Sequence, residues 1–264
     1  MDLRGRTVLL TGATGGIGHA IARAVARRGG SLVLTGRRAD VLEPLAAETG
    51  GRAVACDLSQ RSELDRLTAE AGAVDVLIAN AALPGSGLLT SFSEAEIDAA
   101  LDVNLRAPMV LARRLAEPMA ARGAGHMVFV SSLAGKAASG GGAVYSATKF
   151  GLRGFALALR EDLRESAVGV SVVFPGFIRD GGMFHEAGVK LPRFVGTKTP
   201  DEVAAGVLTA IDRNRPEVDV APVGMRVGAK FASVAPGINA AVQRRLGAEQ
   251  IAADMAEGQR AKRT

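Results

Sequence analysis

Seven short apolar runs, separated by longer amphipathic segments, constrain the fold of this chain more than any other feature. The runs lie at 7–11, 31–35, 52–56, 74–79, 126–131, 170–174 and 218–221. They are rich in Val, Leu and Ile and lack two-residue alternation, which is typical of strands buried on both faces. Helical segments are expected at about 17–29, 39–49, 60–72, 93–121, 143–166 and 200–213. This alternation predicts an α/β fold, a doubly wound parallel sheet of the Rossmann type, with about seven strands and helices on both faces.

The length suits a single domain spanning residues 1–264, because neither an internal repeat nor a linker divides the sequence. Residues 180–199 follow a predicted strand without clear periodicity, so we expect a lid over an active site or a disordered segment there. Residues from about 222 to 264 form an extended tail. Its apolar positions approach helical spacing, at Ile238, Ala241, Val242, Leu246, Ile251 and Met255. We expect this tail to dock on the domain, on a second subunit or on a membrane surface.

Composition argues against several classes of protein. The single cysteine, Cys56, cannot form an internal disulfide, which fits a cytoplasmic location. The three histidines, His19, His126 and His185, are far apart, so no metal site is expected. The charged N-terminal residues do not form a signal peptide, and the apolar runs are too short to span a bilayer. The net charge is +5, but no basic block is interleaved with aromatic residues, so anionic small molecules fit better than nucleic acid.

A glycine-rich turn, T-G-A-T-G-G-I-G at residues 11–18, connects the first apolar run to the first helical segment. Its glycines are Gly12, Gly15, Gly16 and Gly18. Glycines at this junction let backbone N–H groups and a helix N-terminus approach a pyrophosphate. An ordinary glycine turn is the structural alternative, but the position at the first strand–helix junction favours nucleotide binding.

Tyr145 is the only tyrosine of the chain, and Lys149 follows four positions later on a predicted helix. The two side chains therefore share one helix face. An ordinary tyrosine has a pKa near ~10 and is a poor base at neutral pH. A neighbouring ammonium, like the positive charge of an oxidised nicotinamide, would favour the phenolate and bring the phenol into range for acid–base work. On its own, the pair could equally be an exposed Tyr–Lys contact.

The G-x-x-x-G-x-G spacing and the Tyr145-x-x-x-Lys149 pair together resemble the short-chain dehydrogenase/reductase family, over nearly the whole chain up to about residue 220. The resemblance implies an oxidoreductase that transfers a hydride between a nicotinamide dinucleotide and a carbonyl or alcohol. It implies a catalytic tetrad of Asn104, Ser132, Tyr145 and Lys149. In it Tyr145 passes the proton, Ser132 binds the substrate oxygen, Lys149 also holds the nicotinamide ribose, and the backbone carbonyl of Asn104 holds a relay water.

The end of the second predicted strand bears on the choice of cofactor. Relatives that prefer NAD usually carry an acidic residue there, whereas this chain has Gly36 followed by Arg37 and Arg38. Arginine pairs well with phosphate, and Thr35 could add a hydrogen bond, so NADP(H) is favoured over NAD(H). The resemblance assigns cofactor contacts to Gly12, Thr14, Gly15, Gly16, Ile17, Gly18, Arg37, Arg38, Asp57, Leu58, Asn80, Tyr145, Lys149, Pro175, Gly176 and Ile178. Asp57 could instead cap the next helix.

The sequence departs from the family pattern after Pro175. Asp180 stands where relatives commonly have a threonine that contacts the nicotinamide carboxamide. Either backbone groups such as Ile178 take over this contact, or Arg179 compensates for the added charge. The expected lid contains the apolar residues Met183, Phe184, Val189, Leu191 and Phe194, which could cover an apolar substrate or simply pack on the domain. His185 is expected in an exposed loop.

The leading prediction is therefore an NADP-dependent oxidoreductase for a hydrophobic small molecule, such as a 3-oxoacyl chain, a steroid-like ring or a xenobiotic ketone. One alternative is a dinucleotide-binding regulatory protein without turnover. Another is a sugar epimerase or dehydratase, although those chains are generally longer. The ~40 residues after the last predicted strand argue against the family's usual tetramer contact. A homodimer through the two long helices is therefore expected, with a tetramer as the alternative and loose membrane association as a minor one.

Overall fold

A computed structural model describes residues 1–189, 195–238 and 248–263. Within these residues seven strands form one parallel sheet: β1 (Thr7–Thr11), β2 (Ser31–Gly36), β3 (Arg52–Ala55), β4 (Val76–Ala79), β5 (Gly125–Val130), β6 (Val168–Pro175) and β7 (Glu217–Val220). Their spatial order is β3-β2-β1-β4-β5-β6-β7. The predicted doubly wound sheet is confirmed. The strand order reverses between β1 and β4, so a crevice is expected at the carboxyl ends of these two strands.

Helices cover both faces of the sheet. They are α1 (Gly16–Arg27), α2 (Ala39–Thr49), α3 (Arg61–Ala71), α4 (Glu94–Leu101), α5 (Ala107–Ala121), α6 (Ala143–Asp162), α7 (Met183–Glu186), α8 (Pro200–Arg213), α9 (Val223–Val234) and α10 (Ala248–Gln259). Helices α3, α5 and α6 pack on one face, and α1, α2 and α8 pack on the other. Strand β1 is buried between them: Leu9 joins the first core, whereas Val8 and Leu10 join the second. Burial on both faces explains why these strands lack apolar–polar alternation.

The long helix expected over 93–121 is interrupted. A capping box between Ser93 and Glu96 starts α4, and a π-helical segment, Asp102–Arg106, separates α4 from α5. The wider π turn contains Asn104, whose buried side chain bonds both polar backbone groups of Leu83. Single π turns inside α-helices are frequently found at functional sites.

The described parts of the tail, residues 222–238 and 248–263, pack on the domain itself, which is one of the three arrangements that the sequence allowed. Helix α10 packs against α7, and the Nε2 of Gln259 donates to the carbonyl oxygen of Met183 at 3.3 Å. The apolar tail positions Ala241, Val242 and Leu246 lie outside the described residues. No helix among the described residues is both long enough and apolar enough to cross a membrane.

The buried His126 of β5 predicts a specific acid sensitivity. Burial lowers the pKa of His126 to about 4, and its Nε2 lies 2.9 Å from the Oγ of Ser171. Between about pH 6.5 and 4, His126 is therefore protonated in the unfolded chain but not in the folded protein. We expect the free energy of unfolding to fall by up to about 3 kcal/mol as the pH decreases through this window.

Urea unfolding at a series of pH values measures this effect. His126→Gln should remove most of the dependence, whereas His185→Gln, at an exposed position of α7, should keep it. An unchanged pH dependence in His126→Gln would show that other groups are responsible.

Candidate active site

The glycine turn between β1 and α1 is too tightly packed for side chains at Gly12, Gly16 and Gly18. Gly12 has φ +65°, and a Cβ on it would lie 2.6 Å from the Cα of Ala81. A Cβ on Gly18 would lie 2.2 Å from the carbonyl oxygen of Gly12. At Gly15, the N-cap of α1, no side chain caps the first N–H groups, and the first turn has no acidic residue. These residues fit the pyrophosphate of a dinucleotide, because the N–H groups and the positive end of the helix dipole remain available.

Asn80 ties this turn to the end of β4. Its Nδ2 donates to the carbonyl oxygens of Thr11 and Gly12, at 3.1 Å each. In return, the Oγ1 of Thr11 accepts from the backbone N–H groups of Asn80 and Ala81, at 3.0 and 3.1 Å. The reversal point of the sheet is therefore held rigidly by polar contacts rather than left as a free loop.

A cavity of about 500 Å³ lies beside the turn and is lined by Thr14, Gly16 and Arg38, among others. The Nη2 of Arg38 donates to the carbonyl oxygen of Thr14 at 2.7 Å, and Arg37 is exposed beside it. Thr35 differs from expectation, because its side chain is fully buried inside β2 and cannot offer a surface hydrogen bond. This cavity has the cations that a phosphate would need.

Asp57, just after β3, was expected to contact the cofactor or to cap the next helix. The structure shows that it does not cap that helix. The Oδ1 of Asp57 accepts from the N–H and the hydroxyl of Ser59, at 3.0 and 2.8 Å, and Leu58 is buried. The N-cap of α3 is Gln60 instead, so Asp57 shapes a turn just before the helix.

A second cavity, of about 770 Å³, lies at the carboxyl ends of the central strands. It brings together eight of the predicted site residues: Ile17, Asn80, Ser132, Tyr145, Lys149, Pro175, Gly176 and Ile178. Strand β5 leads into Ser132, the first turn of α6 carries Tyr145, and β6 ends at Pro175. Residues far apart in the sequence therefore meet at one place because parallel strands share their carboxyl edge.

Lys149 is buried in this cavity, and Tyr145, which lines it, is partly buried. Burial raises the pKa of Tyr145 to about 12, although a hydrogen bond with Ser132 acts in the opposite direction. Burial lowers the pKa of Lys149 to about 8, and its Nζ donates to the carbonyl oxygen of Val130 at 3.1 Å. The Nζ lies 5.5 Å from the centre of the Tyr145 ring. In the protein alone, desolvation thus outweighs the expected preference for phenolate, and the phenol holds its proton.

The remaining tetrad member, Asn104, lies behind the cavity rather than in its lining. Its Oδ1 accepts from the N–H of Leu83 at 2.6 Å, and its Nδ2 lies 3.4 Å from the Oγ1 of Thr148, the residue before Lys149. Ser131 is not one of the reacting groups, but its hydroxyl donates to the carbonyl oxygen of Lys149 at 3.1 Å and so connects the end of β5 to α6. Both residues brace α6 against its neighbours.

The expected lid is described only in part. Met183 and Phe184 line the larger cavity, and the rings of Phe177 and Phe184 lie 5.0 Å apart. His185 is exposed, as expected, although in α7 rather than in a loop. Leu191 and Phe194 lie outside the described residues.

Asp180 lies in the smaller cavity near Gly16, not in the cavity that holds Tyr145. It has φ +63°, unusual for a residue other than glycine, and its carboxylate lies 3.4 Å from the Nε of Arg179. Both side chains are more than half exposed, so this ion pair is weak, and the expected compensation by Arg179 stays a prediction.

Sequence reasoning missed the contribution of the tail to the larger cavity. Ile251, Met255 and Gln259 of α10 line it, as does Met225 of α9. The spacing of four between Ile251, Met255 and Gln259 places them on one helix face, and this spacing is visible in the sequence. The neighbouring residues in the sequence do not show which surface of the domain that face covers. Among the described residues, no group of three or more His, Cys, Asp or Glu side chains could hold a metal ion.

A doubly wound parallel sheet with an open glycine turn at the N-terminus of α1 is the architecture of dinucleotide-binding proteins. A family model described as short chain dehydrogenase matches residues 6–190. The chain belongs to this short-chain dehydrogenase/reductase family of oxidoreductases. Its cofactor class is accordingly a nicotinamide dinucleotide.

Known relatives include reductases of acyl substrates. The ketoacyl reductase HetN of Nostoc sp. is 39% identical over 227 residues, which cover 83% of this chain and 79% of that protein. The 3-oxoacyl-acyl-carrier-protein reductase FabG of Rickettsia prowazekii is 32% identical over 181 residues, 68% of this chain and 75% of that protein. A solved short-chain dehydrogenase from Sphingobium yanoikuyae, in complex with NADPH, matches with a TM-score of 0.77 and 29% identity, over 88% of this chain and 94% of that chain.

The close packing at Gly18 provides a test of whether the glycine turn binds a dinucleotide. In Gly18→Ala the new methyl group forces the turn apart, and we expect dinucleotide affinity to fall by about tenfold or more. Fluorescence titration with NADPH and with NADH measures this loss. Gly154→Ala is the matched control, because Gly154 is also in a helix and a Cβ there meets nothing within 4 Å. Equal affinities in the two variants would contradict the assignment.

Proposed function

We propose that the protein is an NADP(H)-dependent oxidoreductase that interconverts a hydrophobic carbonyl compound and its alcohol. The proposal rests chiefly on the partly buried side chain of Tyr145, which shares one mainly apolar cavity with Ser132 and Lys149. A proton donor, an oxygen-binding hydroxyl and a cation within one desolvated pocket are what carbonyl reduction requires.

Bound NADPH would supply the hydride. The chain's own residues then handle the oxygen and the proton. Ser132 donates a hydrogen bond to the substrate oxygen and orients it towards Tyr145, whose hydroxyl gives its proton to that oxygen. Because burial keeps Tyr145 protonated, the acid form is ready at neutral pH. In the oxidative direction Tyr145 takes the proton from the alcohol.

Lys149 supports the phenol in two ways in this proposal. Its ammonium stabilises the phenolate left after proton transfer, and its pKa of about 8 lets it return a proton near neutral pH. The backbone carbonyl of Asn104, in the π-helical segment, would hold the water that connects Lys149 to solvent. The side chain of Asn104 is committed to Leu83, so it keeps this segment in place rather than reacting.

The lining of the larger cavity supports a hydrophobic substrate. It includes Leu133, Phe177, Met183, Phe184 and Met225, and Lys149 is the one cationic residue in the lining among the described residues. A sugar phosphate or another anionic head group would find only this ammonium, which the proposed mechanism already uses to stabilise the phenolate of Tyr145. The relatives named as ketoacyl and 3-oxoacyl reductases favour a 3-oxoacyl chain over a steroid-like ring or a xenobiotic ketone.

NADP is the proposed cofactor because Arg38 lines the smaller cavity and Arg37 is exposed next to it. Gly36 stands where a carboxylate would repel a 2′-phosphate, and a Cβ there would lie 3.0 Å from the side chain of Thr14. Asp180 and Asp201 also line this cavity, where Arg23 and Arg38 supply two positive charges, and Arg179 lies 3.4 Å from the carboxylate of Asp180. The smaller cavity therefore suits the phosphate end of NADP.

We further infer that residues 1–264 act as a single domain in a cytoplasmic homodimer. Leu101 and Met109 on the α4–α5 segment and Phe150 on α6 are exposed apolar side chains on the two long helices. Such residues would be covered if these helices form the interface between two copies. A buried free thiol, Cys56, is compatible with a reducing compartment.

Tyr145→Phe tests the proposed acid with the smallest possible change. The ring remains, so NADPH affinity and thermal stability should stay close to the parent values, whereas turnover of carbonyl substrates should fall by about 100-fold or more. Steady-state kinetics over a panel of ketones measures the loss, and Ser132→Ala should also lower kcat. Full turnover by Tyr145→Phe would remove Tyr145 from the mechanism. A parent protein that binds NADPH yet reduces no carbonyl would instead favour a regulatory role.

Arg37→Asp tests the cofactor preference. The carboxylate should repel the 2′-phosphate and accept from the ribose hydroxyls, so the ratio of NADPH to NADH affinity should fall by roughly tenfold or more. Arg164→Asp makes the same charge change at an exposed arginine after α6 and should leave the ratio unchanged. If both variants keep the parental ratio, the assignment of the phosphate site is wrong.

A further inference from the structure

Helix α10 forms one side of the larger cavity. Ile251, Ala252, Met255 and Gln259 all line it. The helix is packed closely at Ala252 and near its C-terminus: a Cβ on Gly141 would lie 2.9 Å from the Cβ of Ala252, and a Cβ on Gly258 would strike the backbone of Ala187. Because Ile251 and Met255 of α10 line the same cavity as Tyr145, a substrate seated at Tyr145 and long enough to cross the cavity would meet this helix.

Arg263, just after α10, is buried in a site made by the segment from Ser86 to Glu96. Its Nη2 donates to the carbonyl oxygen of Ser86 at 2.7 Å, and its Nη1 donates to that of Ser91 at 3.2 Å. The same Nη1 lies 3.8 Å from the Oε1 of Glu96, and the guanidinium lies 3.9 Å from the centre of the Phe92 ring. Only 4% of this side chain is exposed, so its charge depends on these partners.

The opposite side of the tail is tied to α7. The Nζ of Lys262 lies 2.5 Å from a carboxylate oxygen of Glu186, and the Nε2 of Gln259 donates to the carbonyl oxygen of Met183. The Lys262–Glu186 pair is half exposed and contributes little, whereas the Arg263 site is desolvated. The tail thus bridges two walls of the cavity, with Arg263 as its strongest attachment.

We propose that Arg263 is a positioning residue that holds α10 as the outer wall of the substrate cavity and thereby limits the length of the apolar substrate. The substrate class rests on the proposed function, but the attachment of α10 does not. Short chains contact Ile251 and Met255 and are bound well. Longer chains fit only if α10 moves away from the cavity.

The test compares Arg263→Ala with Arg260→Ala, which removes the same charge from an exposed position in the same segment. Hydrogen exchange is measured over residues 248–259 in both variants, and kcat and KM are measured for methyl ketones of increasing chain length with NADPH. In Arg263→Ala we expect α10 amides to exchange roughly tenfold faster or more, because a buried charge pair has been lost. The kcat/KM preference for short over long chains should fall by roughly tenfold, mainly through KM, while kcat stays within about twofold.

Arg260→Ala should match the parent in both measurements, and Arg263→Lys should lie between, since lysine keeps the charge but loses the forked contacts. Unchanged exchange in Arg263→Ala would overturn the attachment. Faster exchange with an unchanged chain-length profile would overturn the role in specificity. Should Arg263→Ala not fold, Glu96→Gln weakens the same site while keeping a residue that suits a capping box.

This design separates the proposal from the proposed function. If no variant and no parent protein reduces any ketone, the proposed function fails, and binding of the apolar fluorophore ANS replaces turnover as the readout. Stronger ANS binding to Arg263→Ala than to Arg260→Ala would still support an opened cavity. Equal ANS binding would reject it.

Discussion

The attachment of α6 to the end of β5 positions the reacting groups of this structure. The buried Nζ of Lys149 donates to the carbonyl oxygen of Val130, and the hydroxyl of Ser131 donates to the carbonyl oxygen of Lys149. These two bonds run in opposite directions across the same junction. Because Ser132 follows this strand end and Tyr145 lies one helical turn before Lys149, the bonds set the distance between the two hydroxyl groups. Removing the Lys149 ammonium from water is costly. The hydrogen bond to the carbonyl oxygen of Val130 offsets part of this cost, because the cavity offers few other polar groups.

A second constraint is the close packing of backbone at the reversal point of the sheet. The turn that holds Gly12 and Gly18 is locked to β4 through Asn80, which leaves the N-terminus of α1 open for an anion. The two cavities lie on either side of this turn, and Gly16 packs against the backbone of Gly181. A dinucleotide spanning both cavities would place its phosphates at the helix and its reactive ring near Tyr145, which is the proposed arrangement.

The strands and the glycine turn were predictable from the sequence, because both depend on residues that are close together in the chain. The apolar runs gave all seven strands of the described sheet to within two residues at each end, and the glycine spacing located the turn before α1. The break in the 93–121 helix was not predictable, because it depends on the side chain of Asn104 bonding the distant Leu83. The place of α10 was not predictable either, since Ser86 and Ser91, which accept hydrogen bonds from Arg263, lie 177 and 172 residues earlier in the chain. Asp180 was recognised as a departure, but only the structure shows that it lies in the smaller cavity.

In the proposed mechanism desolvation holds Tyr145 as a protonated acid, and the bound cofactor lowers its pKa. Since the chain has one tyrosine and no tryptophan, the near-ultraviolet absorbance of tyrosinate reports this side chain alone. The measurement is a pH titration of the folded protein, with circular dichroism to monitor folding, with and without saturating NADP⁺. We expect almost no tyrosinate in the free protein at about pH 10, where an ordinary tyrosine is half ionised, and we expect tyrosinate to appear at lower pH once the positively charged ring is bound. Half ionisation at about pH 10 both with and without NADP⁺ would show that neither desolvation nor the cofactor sets the pKa of Tyr145.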